Sequence, residues 1–239
     1  MRDDRMLMDL HIEALYTLDG AGQLVRVRVH DGLPAPRVFV GRTANAVAYR
    51  FRADVAETIR REVVAACDAA GELTEDASLE APAELARLTA IVARSAPVDG
   101  SSAGPVFAFS NNADVPAVPS GTTVVHVTRD NVGVLRAFLP AWMPDVHHSP
   151  PLFALLVDGN AVAVCGSVRI TPRAHEAGVE TAAAFRGRGY AALVVATWAQ
   201  AVRAMGAEPL YSTSWANTAS RTVARKLGLL HFGNDLHVT

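Results

Sequence analysis

The chain has 239 residues, of which 50% are apolar, with a formal net charge of −2 and a pI near 6.4. That length buries a real core in one large domain or two small ones, and the apolar share excludes a disordered chain. The near-balanced charge gives no electrostatic footing for nucleic acid or an anionic membrane as partner. In chain order, the opening Met1-Arg2-Asp3-Asp4-Arg5 lacks a signal-peptide apolar region, and no apolar run reaches membrane-spanning length. Residues 7–18 read as helix passing into strand, and Asp19-Gly20 as a turn. Residues 24–29 alternate, with Val25, Val27 and Val29 on one face and Arg26 and Arg28 on the other. Residues 37–40 and 46–51 are further short strands. Asp54 with Glu57 resembles a capping box, and Val55, Ile59, Val63 and Ala66 keep helical spacing as far as Gly71. Pro82 suits a first helical position ahead of the stripe Leu85, Leu88, Ile91 and Val92.

Ser95, Pro97, Gly100, Ser101, Ser102 and Gly104 crowd one short stretch with breakers. The expected organisation is therefore an α+β region over 1–95, a linker over 96–103 and a second domain over 104–239. In the second domain, 106–110 and 122–127 read as strands and 131–139 as a short helix. The stretch from Pro140 to Pro151, with Trp142, His147 and His148, reads as a loop. Residues 152–157 and 161–170, joined through Asp158-Gly159-Asn160, form a hairpin. A strand over 178–181 leads to a helix over 190–205 that is apolar on most faces and capped by Gly206. A strand over 210–214, a helix from Asn217 or Thr218 to Gly228, and a last hairpin turned at Gly233-Asn234 complete the chain. Cys67 and Cys165, each among apolar neighbours, read as buried free thiols, which fits a soluble cytoplasmic protein.

The turn Phe185-Arg186-Gly187-Arg188-Gly189-Tyr190-Ala191 carries the most chemistry. It opens a helix, whose first N–H groups have no intrahelical acceptor and whose dipole favours an anion. Two arginines beside them suit a pyrophosphate or a phosphorylated ribose. The same residues fit a dinucleotide fingerprint, Gly187-x-Gly189-x-x-Ala192, with Glu208 nineteen residues past Gly189. Glu208 precedes its strand instead of ending it, and about fifty residues after the turn are too few for a doubly wound half. An NAD(P)-binding oxidoreductase is thus the weaker alternative.

The run Arg186-Gly187-Arg188-Gly189-Tyr190-Ala191 resembles the Arg/Gln-x-x-Gly-x-Gly/Ala acyl-CoA motif of the GNAT superfamily of N-acetyltransferases. Asn217-Thr218-Ala219-Ser220, followed by Lys226-Leu227-Gly228, is similar to that family's helix after the fifth strand. The resemblance covers about residues 104–239. It implies a mixed α/β acyl-CoA N-acyltransferase sheet splayed between its fourth and fifth strands, with an additional N-terminal α+β region that is an accessory or a decayed half. It also implies acetyl-CoA as acyl donor. Val179 and Thr181 would pair with the pantetheine arm, and the Thr181 N–H would meet the acetyl carbonyl. The N–H groups from Arg186 through Gly187, Arg188, Gly189 and Tyr190 to Ala191 would hold the pyrophosphate. Asn217 and Ser220 either contact the cofactor or cap their helix.

Amine acetylation needs a base, because an amine with a pKa of roughly 10.4 must lose a proton before it attacks. Glu180 is the first candidate, on the strand that would carry the acetyl group, in an apolar segment whose burial would make its carboxylate a better base; the other reading is an exposed or paired glutamate on a strand edge. His175 and Glu176 come second, read as lying on a loop before that strand. They make no His-Glu-x-x-His motif, and no metal is expected. The tyrosine that many family members use as acid falls on Ala224 here, so Tyr211 or water would protonate the thiolate. Ser167 and Arg169 share a strand face with Cys165 by the two-residue period. The reading is an N-acetyltransferase acting on a small-molecule or peptide amine in a ternary complex, with a homodimer as an option. A non-catalytic acyl-CoA-sensing module is the alternative, with Ala224 in its favour.

Overall fold

The computed structural model describes residues 3–29, 32–68, 83–110 and 115–239. The fold is mixed α/β and divides into two compact units. One holds Met1–Phe107, Ser212–Arg221 and His231–Thr239; the other holds Ala108–Tyr211 and Thr222–Leu230.

The first unit begins with α1 (Asp4–Leu15), which Asp3 caps by accepting the Arg5 N–H at 2.9 Å. α1 passes directly into β1 (Tyr16–Leu18), as the sequence suggests. Asp19 then turns the chain by accepting the amides of Ala21 and Gln23 at 2.9 and 2.8 Å, and β2 (Leu24–Val27) returns antiparallel to β1. β3 (Val38–Arg42) pairs antiparallel with β4 (Val47–Phe51) and, on its other edge, with the last strand of the chain. α2 (Glu57–Asp68) and α3 (Ala83–Ala93) bring Ile59, Val63, Leu88 and Val92 into one core with Val38, Val40 and Trp215. Asp54 does not act through a capping box: its carboxylate binds the Arg52 guanidinium at 2.7 and 2.8 Å, and that hydrogen bond holds it below the usual carboxylate range. Gly71 and Pro82, expected to bound these helices, lie outside the described residues.

Part of the expected linker is strand. β5 (Ser101–Ala108) begins inside it because the chain finds backbone partners there: Trp215 donates to Ala103 and Thr213 to Pro105, at 3.1 and 3.3 Å. Breaker residues describe local preference, and a ladder overrides it.

In the second unit, β6 (Thr122–His126), β7 (Leu152–Val157), β8 (Asn160–Ile170) and β9 (Ala174–Thr181) form an antiparallel run. The helix expected over 131–139 is instead one short 3-10 turn, Val132–Leu135, and a second one, Pro140–Trp142, opens the stretch expected as a loop. Gly133 and Pro140 interrupt the α pattern. Asn131 starts the first turn, accepting the Thr128 N–H at 2.7 Å and donating to the His126 carbonyl at 2.9 Å. α4 (Tyr190–Ala204) buries Val194, Val195, Trp198 and Val202. β10 (Glu208–Ser212) follows it and pairs parallel with β9.

Then come α5 (Thr218–Lys226) and β11 (Leu230–Val238). β11 corrects the hairpin expected at Gly233-Asn234: it is one strand, paired with β3 from Asn234↔Arg42 to Val238↔Val38. A turn dipeptide turns only when its two flanks pair with each other, and here the partner comes from the start of the chain.

Two buried polar networks brace the units. In the second, Ser167 Oγ accepts the Trp198 indole N–H at 3.0 Å and lies 2.9 Å from His175 Nδ1. Burial pushes the His175 imidazole below its ordinary value, which keeps it neutral. Ser167→Ala would leave the indole N–H of a fully buried tryptophan without an acceptor. The expected loss is about 1–3 kcal/mol of unfolding free energy, read from urea denaturation. In the first unit, His11 donates to the Asp235 carboxylate at 2.8 Å. His237 Nε2 lies 3.2 Å from the same oxygen, and the Tyr16 hydroxyl bonds His237 Nδ1.

Candidate active site

The parallel pairing of β9 and β10 is short. Ala174–Glu176 face Glu208–Leu210, and there it stops. β9 runs on to Thr181, held along its other edge by β8 through to Ala163↔Thr181. The Ala182 N–H donates to the Val162 carbonyl at 2.9 Å, so by alternation Gly178 and Glu180 turn their backbone groups toward β8. Ala177, Val179 and Thr181 then turn theirs to the opposite edge, where β10 no longer pairs. This is the edge to which the sequence assigns Val179 and Thr181. Thr181 also has a buried Oγ1 without a hydrogen-bond partner among the described residues.

Beyond β9, a 3-10 turn at Ala183–Phe185 leads into the glycine turn. Gly187 has φ of +79° and Gly189 φ of +84°, a region that costs an L side chain strain. Gly189 is the N-cap of α4 and supplies no side-chain cap. The bond from the Leu193 N–H to the Gly189 carbonyl, at 3.4 Å, closes the first helical turn, so the N–H groups of Tyr190, Ala191 and Ala192 precede any intrahelical acceptor. Arg186 and Arg188, both exposed, brace the turn. Arg186 Nε donates to the Thr181 carbonyl at 3.1 Å. Arg188 Nη2 reaches the Ala184 carbonyl at 3.4 Å, and its guanidinium lies 5.2 Å from the Phe185 ring centroid. The donor set fits a diphosphate: orphan amides, a helix dipole and two fixed cations share one turn.

The catalytic candidates fall differently from expectation. Glu180 is exposed, not buried, because it is the penultimate residue of β9, where the strand runs out from the core. Its carboxylate accepts the Trp142 indole N–H at 2.7 Å. His175 and Glu176 are not on a solvated loop: β9 starts at Ala174, and both are buried where β10 pairs. Tyr211 on β10 is 1% exposed. Asn217 accepts the Ser220 N–H at 3.0 Å, the helix-capping arrangement, at the start of α5. Ala224 is buried and brings no hydroxyl. A register shift between Ser167 and Arg169 breaks the alternation that would align Arg169 with Cys165 and Ser167. Cys165 is fully buried, and burial pushes its thiol well up, so it is no nucleophile. No group of three or more His, Cys, Asp or Glu among the described residues is arranged to hold a metal ion. The Trp142–Glu180 pair and the Ser167–His175–Trp198 network left no sequence signal, since their members are far apart in the chain.

Residues 153–234 match the model of a family described as GNAT acetyltransferase. The match includes the glycine turn and the Asn217–Gly228 segment, so the resemblance read from those residues holds for this segment of the chain. No curated protein matches. Similar solved structures include a protein assigned to the GNAT family from Novosphingobium aromaticivorans, at 20% identity and a TM-score of 0.47 over 59% of this chain and 65% of that one. A GCN5-related N-acetyltransferase-like protein from Streptococcus suis gives 18% and 0.44 over 59% and 64%. A GNAT-family acetyltransferase from Colwellia psychrerythraea gives 12% and 0.49 over 100% and 97%. The chain thus spans just under two thirds of the length of the first two.

Proposed function

Starting from a segment of the GNAT acetyltransferase family, residues 153–234, we propose that the chain moves an acetyl group from acetyl-CoA to a primary amine by direct attack in a ternary complex. The supporting observation is the unpaired β9 edge leading straight into the two-glycine turn at the start of α4. Ala177, Val179 and Thr181 would hold the pantetheine amides as an added strand, and the N–H groups of the turn and of α4 would hold the diphosphate. The Thr181 N–H would donate to the acetyl oxygen, where negative charge develops in the tetrahedral intermediate. Glu180 takes a proton from the acceptor ammonium. The neutral nitrogen would then attack the thioester carbon and form the C–N bond, and as the C–S bond breaks and CoA leaves as thiolate the nitrogen releases its second proton to solvent water. Water protonates that thiolate, because position 224 is alanine and Tyr211 is buried. The acceptor is a small molecule or a peptide amine. A cytoplasmic setting belongs to the same reading, supported by the two buried free thiols. Among the described residues, no helix is long and apolar enough to cross a membrane.

The test is calorimetric titration with acetyl-CoA, with NAD as control. Gly189→Glu adds a side chain at a φ of +84° and a negative charge where the diphosphate binds. A loss of a hundredfold or more in affinity is expected, about 2.7 kcal/mol. No binding to the folded wild type would sink the proposal, and NAD binding in its place would favour the dinucleotide alternative. Acetyl-CoA binding without turnover of any amine would leave the sensing module.

A further inference from the structure

Glu180 is exposed but held. Its carboxylate Oε2 accepts the Trp142 indole N–H at 2.7 Å across 38 residues of chain. The indole is itself seated on two glycines, Gly166 of β8 and Gly178 of β9, which are paired directly across the strands. A Cβ on Gly166 would stand 3.4 Å from ring atom Cζ3, and a Cβ on Gly178 would stand 3.1 Å from Cη2. The benzo edge thus rests over two glycines, beside the side chains of Leu152 and Val168 that stand nearest to them, and the pyrrole N–H points at the carboxylate. Gly178 and Glu180 lie on the same face of β9, two residues apart. A carboxylate near the end of a strand would otherwise sample several rotamers; this one is tied at one oxygen, and the other stays available.

We propose that Trp142 is a positioning residue for the acceptor subsite. It fixes Glu180 so that Oε1 receives the incoming ammonium, and its ring lies beside the amine. An ammonium near both a carboxylate and an indole is doubly favoured, and an apolar flank next to it finds aromatic surface. The acceptor class is therefore a cationic primary amine carrying an apolar group. This inference rests on the acetyl-transfer reading above.

Two variants attack the arrangement by different routes. Trp142→Phe keeps a ring on the glycine floor and removes the donor. Gly178→Ala keeps the donor and crowds its seat, pushing first on Val168 and then on the indole. Both are expected to lower kcat for 2-phenylethylamine about ten- to hundredfold, with the acetyl-CoA affinity unchanged. A purely structural role for Trp142 would lower acetyl-CoA affinity along with kcat, and the hydrogen bond itself is read separately. The chain has three tryptophans, and the Trp142 indole resonance is the one lost in Trp142→Phe. In Glu180→Gln that 1H–15N signal is expected to shift clearly, while the Trp198 signal, whose N–H donates to Ser167, stays in place. An unmoved Trp142 signal, or wild-type kcat in Trp142→Phe, would overturn the positioning role. Acetylation of glycine amide or spermidine in preference to 2-phenylethylamine would overturn the acceptor class. Failure of the parent reading looks different: the wild-type protein then binds no acetyl-CoA.

Discussion

Glu180→Gln is expected to lower amine acetylation about a hundred- to ten-thousandfold while acetyl-CoA binding stays at the wild-type level. Glutamine keeps the size of the side chain and an oxygen that accepts from Trp142, so the variant should fold and keep its β9 edge. What it loses is the capacity to take a proton. An alkylammonium with a pKa of roughly 10.4 is almost entirely protonated at neutral pH, and its lone pair is then unavailable. The defect should therefore shrink as the assay pH rises and more acceptor is already neutral. Stopped-time assays of free thiol release between pH 7 and pH 10 would read this. A constant defect across that range would mean that Glu180 orients the acceptor and moves no proton.

Asp235→Ala is expected to cost about 3–5 kcal/mol of unfolding free energy, the usual consequence of leaving the partners of a buried charge without it. Its carboxylate is 5% exposed and meets His11, which is fully buried, and His237. Burial pushes Asp235 up, but the charge of His237 and the hydrogen bonds from His11 and His237 hold it well below the usual carboxylate range. The folded state therefore binds the proton less readily than the unfolded chain, whose aspartate titrates near 3.9. The contribution is present in full above that pH and is lost as the pH falls below about 4 toward the depressed folded value. Urea denaturation at pH 7 and at pH 3.5 would show it: the wild type should lose stability between the two pH values by more than Asp235→Asn does. Equal pH slopes in the two proteins would mean that the network does not depend on the charge of Asp235.

The glycine turn was legible from its residues alone. Two glycines separated by one arginine, ahead of an apolar helix, require positive φ and expose helix-start amides, and both are properties of neighbours in sequence. The turn signal that predicted the β7–β8 hairpin is local in the same way. The Asp158-Gly159-Asn160 turn joins two flanks that do pair with each other, and Gly233-Asn234 joins two that do not. The difference lies in β3, nearly two hundred residues earlier, which offers β11 a longer ladder than a terminal hairpin would. For Glu180 the sequence left burial and an exposed or paired edge position both open, because an apolar context does not say where a strand leaves the core; the pairing with Trp142 decided it.

What the sequence by itself determined is thus short-range: the turn that is ready for an anion, the strand before it, the helices with one apolar face, and the absence of a tyrosine at position 224. The tertiary structure decided the pairs that span long stretches of chain. Trp142 meets Glu180 across 38 residues, and His11 meets Asp235 across 224. Propensity, periodicity and backbone sterics act within a few residues. A hydrogen bond between distant side chains exists only after strand register and packing have brought its donor to its acceptor, and no single segment carries that information.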